Sequence, residues 1–179
     1  MNKKTITIIA VVAIFIISLA GVLCWGLQPI QKDSVSLKKL NKELGEKYCV
    51  PSELPFEGDV ECYIVYVMGN MGVVLTRFEA SPKRSTGYSI ALKDSKRKIY
   101  IETGNSITIS EETAEGLIIK KYNDKIIKYL FSETETDNKL IILYEIDGKT
   151  YQINATYNKD VNSETLKSDI KFLLDQMIM

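Results

Sequence analysis

Leu140-Ile141-Ile142-Leu143-Tyr144-Glu145-Ile146-Asp147-Gly148-Lys149-Thr150-Tyr151-Gln152-Ile153-Asn154-Ala155-Thr156-Tyr157 is the stretch that decides the fold. Two runs rich in β-branched and aromatic residues flank Asp147-Gly148, a pair that accepts positive φ and so marks a two-residue β-hairpin. Working outward, the same signals recur at short spacing. Val60, Cys62, Ile64 and Tyr66 alternate with Glu61, Tyr63, Val65 and Val67, and Gly69-Asn70 then turns the chain. Val73 to Glu79, Tyr88 to Leu92, Ile99 to Thr103, Ile107 to Ser110, Leu117 to Tyr122 and Ile126 to Phe131 read as further strands, with Gly104-Asn105 as a second hairpin signal. Such close turns leave no room for parallel crossovers, so the pattern predicts an antiparallel meander.

The last segment changes period. Asn162 or Ser163 caps a helix whose Leu166, Ile170, Leu173, Leu174, Met177 and Ile178 form one stripe, with Lys167, Asp169, Lys171 and Asp175 expected to face away. A sheet with one apolar face needs a cover, and this helix supplies it. The fold class is therefore α+β, an antiparallel β-meander packed by a C-terminal helix.

The N-terminal end is of another kind. After Lys3 and Lys4, the run Ile6–Leu27 carries no charge and as a helix would cover about 33 Å, enough for a hydrocarbon core of about 30 Å. Trp25 near its end and the lysines before it predict a single-pass anchor with the remainder outside the cytoplasm. Ser18-Leu19-Ala20 leaves a second reading open, secretion after signal cleavage near Ala20. Residues 1–28 are thus the anchor or signal segment, 29–48 a juxtamembrane helix or linker, and 49–179 an extracytoplasmic β-rich domain. Within the linker, Asp33 or Ser34 is expected to cap a helix from Gln31 to Tyr48, with Leu37, Leu40 and Leu44 on one face and Gly45 as its stop.

Composition narrows the chemistry. The 179-residue chain has 23 Lys+Arg against 23 Asp+Glu, so no basic field exists to hold nucleic acid. It has no histidine, which removes Ser-His-Asp and Cys-His catalysis and every histidine metal ligand. Ser-x-x-Lys at Ser36/Lys39, Ser95/Lys98 and Ser168/Lys171 stands without the companion motifs of the penicillin-recognising enzymes. Glu133, Glu135 and Asp137 lack the glycine and terminal glutamate of a calcium loop. No catalytic residue, metal ligand or cofactor site is assigned.

Cys49 and Cys62 both fall in the exported portion, where a disulfide would stabilise by about 3 kcal/mol; two separate thiols, with Cys62 buried, is the other reading. Tyrosine is the preferred aromatic, ten against five Phe and one Trp. Its strand positions suit a half-exposed sheet or, in the functional reading, an amphipathic binding face. The candidate surface comprises Tyr63, Tyr66, Tyr88 and Tyr100, with Lys83, Arg84, Lys96 and Arg97 in two basic turns. Charge at turns ordinarily means solvation; contact with an anionic polymer or lipid headgroup is the sharper alternative.

Val50-Pro51-Ser52-Glu53-Leu54-Pro55, the run Leu140 to Glu145, Asp147-Gly148-Lys149-Thr150-Tyr151-Gln152-Ile153 and a terminal helix from Ser163 together resemble an extracytoplasmic domain family of unknown function common in Firmicutes. Family members often carry a Trp on the strand before that turn, where this chain has Tyr144. The family is similar to the lipoprotein-carrier half-barrel, and the resemblance implies a half-barrel-like sheet, binding without catalysis, and no catalytic residues. The expected function is a membrane-anchored, non-enzymatic binding or sensory module. Its partner would be an envelope lipid, polymer or membrane protein; the alternatives are a scaffold of a membrane complex and a lipid carrier.

Overall fold

The computed structural model describes residues 30–67, 84–104 and 116–178. The expected span Ile6–Leu27, the strands Val73–Glu79 and Ile107–Ser110, the turn Gly69-Asn70, Asn105, and Lys83 lie outside them. Among the described residues no helix is long and apolar enough to cross a membrane. The architecture below belongs to the compact unit of Lys32–Tyr66 and Ser85–Met179.

The protein is an α+β fold built on one open, antiparallel, eight-stranded sheet. In chain order the elements are β1 (Ile30–Val35), α1 (Leu37–Leu44), β2 (Asp59–Val67), β3 (Arg84–Lys93), β4 (Arg97–Gly104), β5 (Ile118–Tyr122), β6 (Lys125–Glu133), β7 (Asp137–Ile146), β8 (Lys149–Asn158) and α2 (Ser163–Met177). The strand order is β1-β2-β3-β4-β8-β7-β6-β5. Two four-strand runs, each in sequence order, therefore meet at an antiparallel β4–β8 seam that places Ile101 opposite Ile153 and Ile99 opposite Ala155. This is more than a simple meander: β4 lies at the centre and β5 at the far edge.

The Asp147-Gly148 hairpin forms as read, with φ of 51° and 70°. On β8, Tyr151, Ile153, Ala155 and Tyr157 are buried while their neighbours are half-exposed, the period-2 alternation of a sheet covered on one face. The cross-strand partners Tyr144, Ile142 and Leu140 on β7 share that face. The C-terminal helix covers it with Leu166, Ile170, Leu173, Leu174 and Met177, and α1 adds Leu40 and Leu44. Each such side chain withdrawn from water contributes about 1.5–3 kcal/mol. Asn162 accepts from the Glu164 N–H at 2.9 Å and caps α2.

Two expectations need correction. The helix expected from Gln31 to Tyr48 does not start there: Ile30–Val35 is a strand, and α1 spans Leu37–Leu44 only. Its cap is Ser36, whose hydroxyl accepts from the Lys39 N–H at 3.3 Å; the apolar residues at helical spacing begin only at Leu37. Gly45 does end it, donating its N–H to the Asn41 carbonyl at 2.8 Å. Asp169 does not face away; it is buried at the margin of the α2 stripe.

Candidate functional site

Four of the strand tyrosines are internal posts. Tyr144 and Tyr151, cross-strand partners, stack almost parallel with centroids 5.0 Å apart. Tyr88 is fully buried and meets Tyr48 edge to face. The hydroxyl of Tyr88 donates to the Cys49 carbonyl, and that of Tyr151 accepts from the Cys49 N–H at 3.0 Å. Together they fix the lead-in segment after α1 to the sheet. Gln176 on α2 fixes the next residues: its Oε1 accepts from the backbone N–H groups of Ser52 and Glu53, each at 3.0 Å. Burial raises the pKa of Tyr88, Tyr144 and Tyr151, so their hydroxyls remain neutral hydrogen-bonding groups.

At the opposite end of the covered face lies a polar cluster. Arg97 pairs with Asp94 at 2.7 Å and with Asp169 at 3.4 Å, while its guanidinium carbon stands 3.8 Å from the centroid of the Phe56 ring. Tyr157 donates to Asp169 at 2.7 Å, and burial followed by this bond raises the Tyr157 pKa. Burial by itself would raise the Asp94 pKa; the Lys96 and Arg97 amides and the Arg97 guanidinium outweigh it and hold the carboxyl below its ordinary value. The turn read as basic is therefore organised around an aspartate, and the cluster is satisfied internally.

The structure scatters the candidate surface. Tyr88 is corrected from surface to interior, because the elements crossing the sheet seal the face that carries it, whereas Arg97 is half-buried with its guanidinium held by Asp94 and Asp169. Tyr66 shares the parity of buried Cys62 and Ile64 and is half-buried, whereas Tyr63 and Tyr100 lie on the opposite face. Tyr63 bonds its neighbour Glu61 at 3.3 Å. Lys96 is exposed beside Asp160, 3.7 Å away. Arg84 opens β3, and its side chain is not described. Cys49 and Cys62 are free thiols, the first half-buried and the second buried, so no disulfide links them. Cys49 lines a cleft of about 750 Å³ with Tyr48, Lys125, Asp147, Lys149 and Met177, whose mixed charges single out no ligand. Among the described residues no cluster of three metal-ligating side chains exists.

What stands open is the β5–β6 hairpin. Its turn, Asn123-Asp124, has φ of 43° and 64°, the left-handed pair of a two-residue type I′ connection. Ile119 and Ile126 are 67% and 64% exposed, and Ile118 and Phe131 are also exposed. Ile119 and Ile126 border a depression of about 680 Å³ on the face of the sheet opposite the one packed by α2, with Leu117, Lys128 and Leu143. Lys120, Lys121, Lys125 and Lys128 are exposed on the same hairpin. The hairpin is pinned at its tip: Tyr122 donates to Asp175 on α2, and Asn123 donates to the Ile178 carbonyl at 3.1 Å. Sequence reasoning found these strands but missed their surface. The signal was the doublets Ile118-Ile119 and Ile126-Ile127: adjacent strand residues point to opposite faces, so one isoleucine of each pair must leave the core.

No family model, curated protein or solved structure matches the chain.

Proposed function

We propose that this chain is a membrane-anchored, extracytoplasmic, non-enzymatic binding module that holds a partner protein on its β5–β6 hairpin. The observation that carries the reading is the contrast in exposure: apolar side chains are withdrawn across the rest of the sheet and presented on this hairpin alone among the described strands, apart from Val60 at the start of β2. Apolar residues rimmed by charge mark interaction surfaces. The lipid-carrier alternative, and with it a half-barrel hollow, is less favoured, since Ile90, Ile99, Ile101 and Ile153 at the sheet centre are covered. The extracytoplasmic side follows from Lys3 and Lys4 ahead of the apolar run Ile6–Leu27.

Two measurements test this. A photo-crosslinking side chain at Ile126 should capture a partner in native membranes, while one at Tyr63, on a distant strand, should not; equal capture at both would refute a local site. Protease added to intact protoplasts should remove the domain; protection until lysis would place it inside.

A further inference from the structure

Among the described residues the proposed binding hairpin has a free edge, and its chemistry limits what can occupy it. Among the described residues no strand lies beyond β5. Tyr122 and Lys125 are the partners that close the two-residue turn, and such a closing pair exchanges both backbone hydrogen bonds. Alternation then directs the backbone groups of Tyr122, Lys120 and Ile118 towards β6 and those of Ile119 and Lys121 towards the open edge. Two N–H donors and two C=O acceptors are thus presented to an incoming strand. Ile118 and Ile119 lie exposed beside them, one on each face.

Charge decides between occupants. Lys120 and Lys121 are consecutive on the edge strand, with Lys125 and Lys128 on the strand behind it. A second copy pairing antiparallel through β5 would bring these lysines against their counterparts, which is the usual protection of an edge against self-association. The same lysines attract carboxylates. Asp124 answers only Lys121, at 2.6 Å in a fully solvated pair, which holds little. Building on the proposed function, we propose that the β5 edge takes up an extended acidic segment of a partner protein as an added antiparallel strand, acidic side chains against Lys120 and Lys121 and apolar ones against Ile118 and Ile119. Backbone bonds would give the affinity and the lysines the selectivity.

The test uses the full chain in mild detergent and a labelled synthetic peptide repeating Glu-Glu-Val-Val, the antiparallel complement of Ile118 to Lys121, whose paired residues fall one on each face. Saturable binding that weakens as salt is raised is expected, with no binding of the valine–lysine counterpart. Lys121→Pro removes an edge N–H without touching a β5–β6 bond and should weaken binding about tenfold, the equivalent of about 1.4 kcal/mol, at an unchanged circular dichroism spectrum. Should that variant misfold, Lys120→Glu with Lys121→Glu should transfer preference to the valine–lysine peptide. Failure of the acidic peptide to bind, equal binding of both peptides, or full binding by a folded Lys121→Pro would overturn the proposal, as would displacement of the peptide by vesicles rich in anionic lipid that Lys121→Pro still binds. Crosslinking from Ile126 that persists in Lys121→Pro would retain the hairpin as a surface and reject strand addition.

Discussion

Ile99 and Ile126 are isoleucines on strands of one sheet, yet the first is 1% exposed and the second 64%. Around Ile99, the β4–β8 seam, α2 and the segment ending in Phe56 close over the side chains, and polar groups caught beneath them find partners in Arg97, Asp169 and Tyr157. Around Ile126 none of the described residues gives such cover, and the hairpin is held by its turn, its pairing with β7 and two bonds to the end of the chain. The difference teaches that burial in this sheet follows what crosses it, not the strand sequences. Stability should reside in the centre, and surface chemistry on the wing.

The sharpest way to break that division is to hollow the centre. Ile153 is unexposed and faces Ile101 and Ile142 across its two neighbouring strands. Ile153→Ala should lower the unfolding free energy by about 2–5 kcal/mol, since the lost transfer energy is joined by a cavity that packed neighbours cannot fill. Denaturant midpoints at constant slope measure it; a loss under about 1 kcal/mol would mean the centre is looser than its burial implies.

Asp169→Ala comes next. It strips Arg97 of one carboxylate and leaves the buried Tyr157 hydroxyl without its acceptor. A loss of about 2 kcal/mol is expected, less than for a wholly isolated ion because Asp94 still holds Arg97 at 2.7 Å. Asp169→Asn, which can still accept from Tyr157, should recover part of it. An unaltered midpoint in Asp169→Ala would show that the cluster is decorative.

These two cases also show what the sequence could reveal. The β7–β8 hairpin was legible because Asp147-Gly148 accepts positive φ locally, and the α2 stripe because its period is local. The β4–β8 seam was not: it joins segments that no turn connects, and its register depends on packing rather than on a neighbouring signal. Ile30–Val35 carries too weak an alternation to announce a strand beside a helix with clear periodicity. Asp169 read as solvent-facing because charge normally is, and only Tyr157 and Arg97, brought in from the sheet, give it reason to be buried. Of the candidate surface, Tyr63, Tyr66, Tyr100, Lys96 and Arg97 keep some exposure, Tyr88 does not, and the exposed isoleucines of the β5–β6 hairpin were absent from it. Apolar residues are expected inside, so their misplacement becomes visible only once the cover is known.

A smaller effect tests how the wing is tethered. Burial, then the bond to Asp175 and that carboxylate's charge, push the Tyr122 pKa up to about 12. The folded value lies above the unfolded one near 10, so the group's contribution is fully present below about pH 10 and is lost as pH rises through about 12. Tyr122→Phe should therefore narrow the alkaline loss of stability while lowering the neutral midpoint by less than Asp169→Ala does. Parallel pH profiles for wild type and variant would mean that the tether does not act in solution.

The smallest stability effect is also the most informative. Ile119→Thr and Ile126→Thr replace exposed β-branched residues with another of high strand propensity. Since little apolar area is buried at either site, the unfolding free energy should move by no more than about 0.5 kcal/mol, against the several expected for Ile153→Ala. Capture by the hairpin should respond in the opposite order: threonine at both positions removes the apolar contact and should reduce crosslinking from a probe at Phe131, whereas a partner binding elsewhere would be indifferent. If the threonine variants are instead strongly destabilised, the wing is packed against something that the exposed isoleucines do not reveal, and the division between a stable centre and an interacting edge fails.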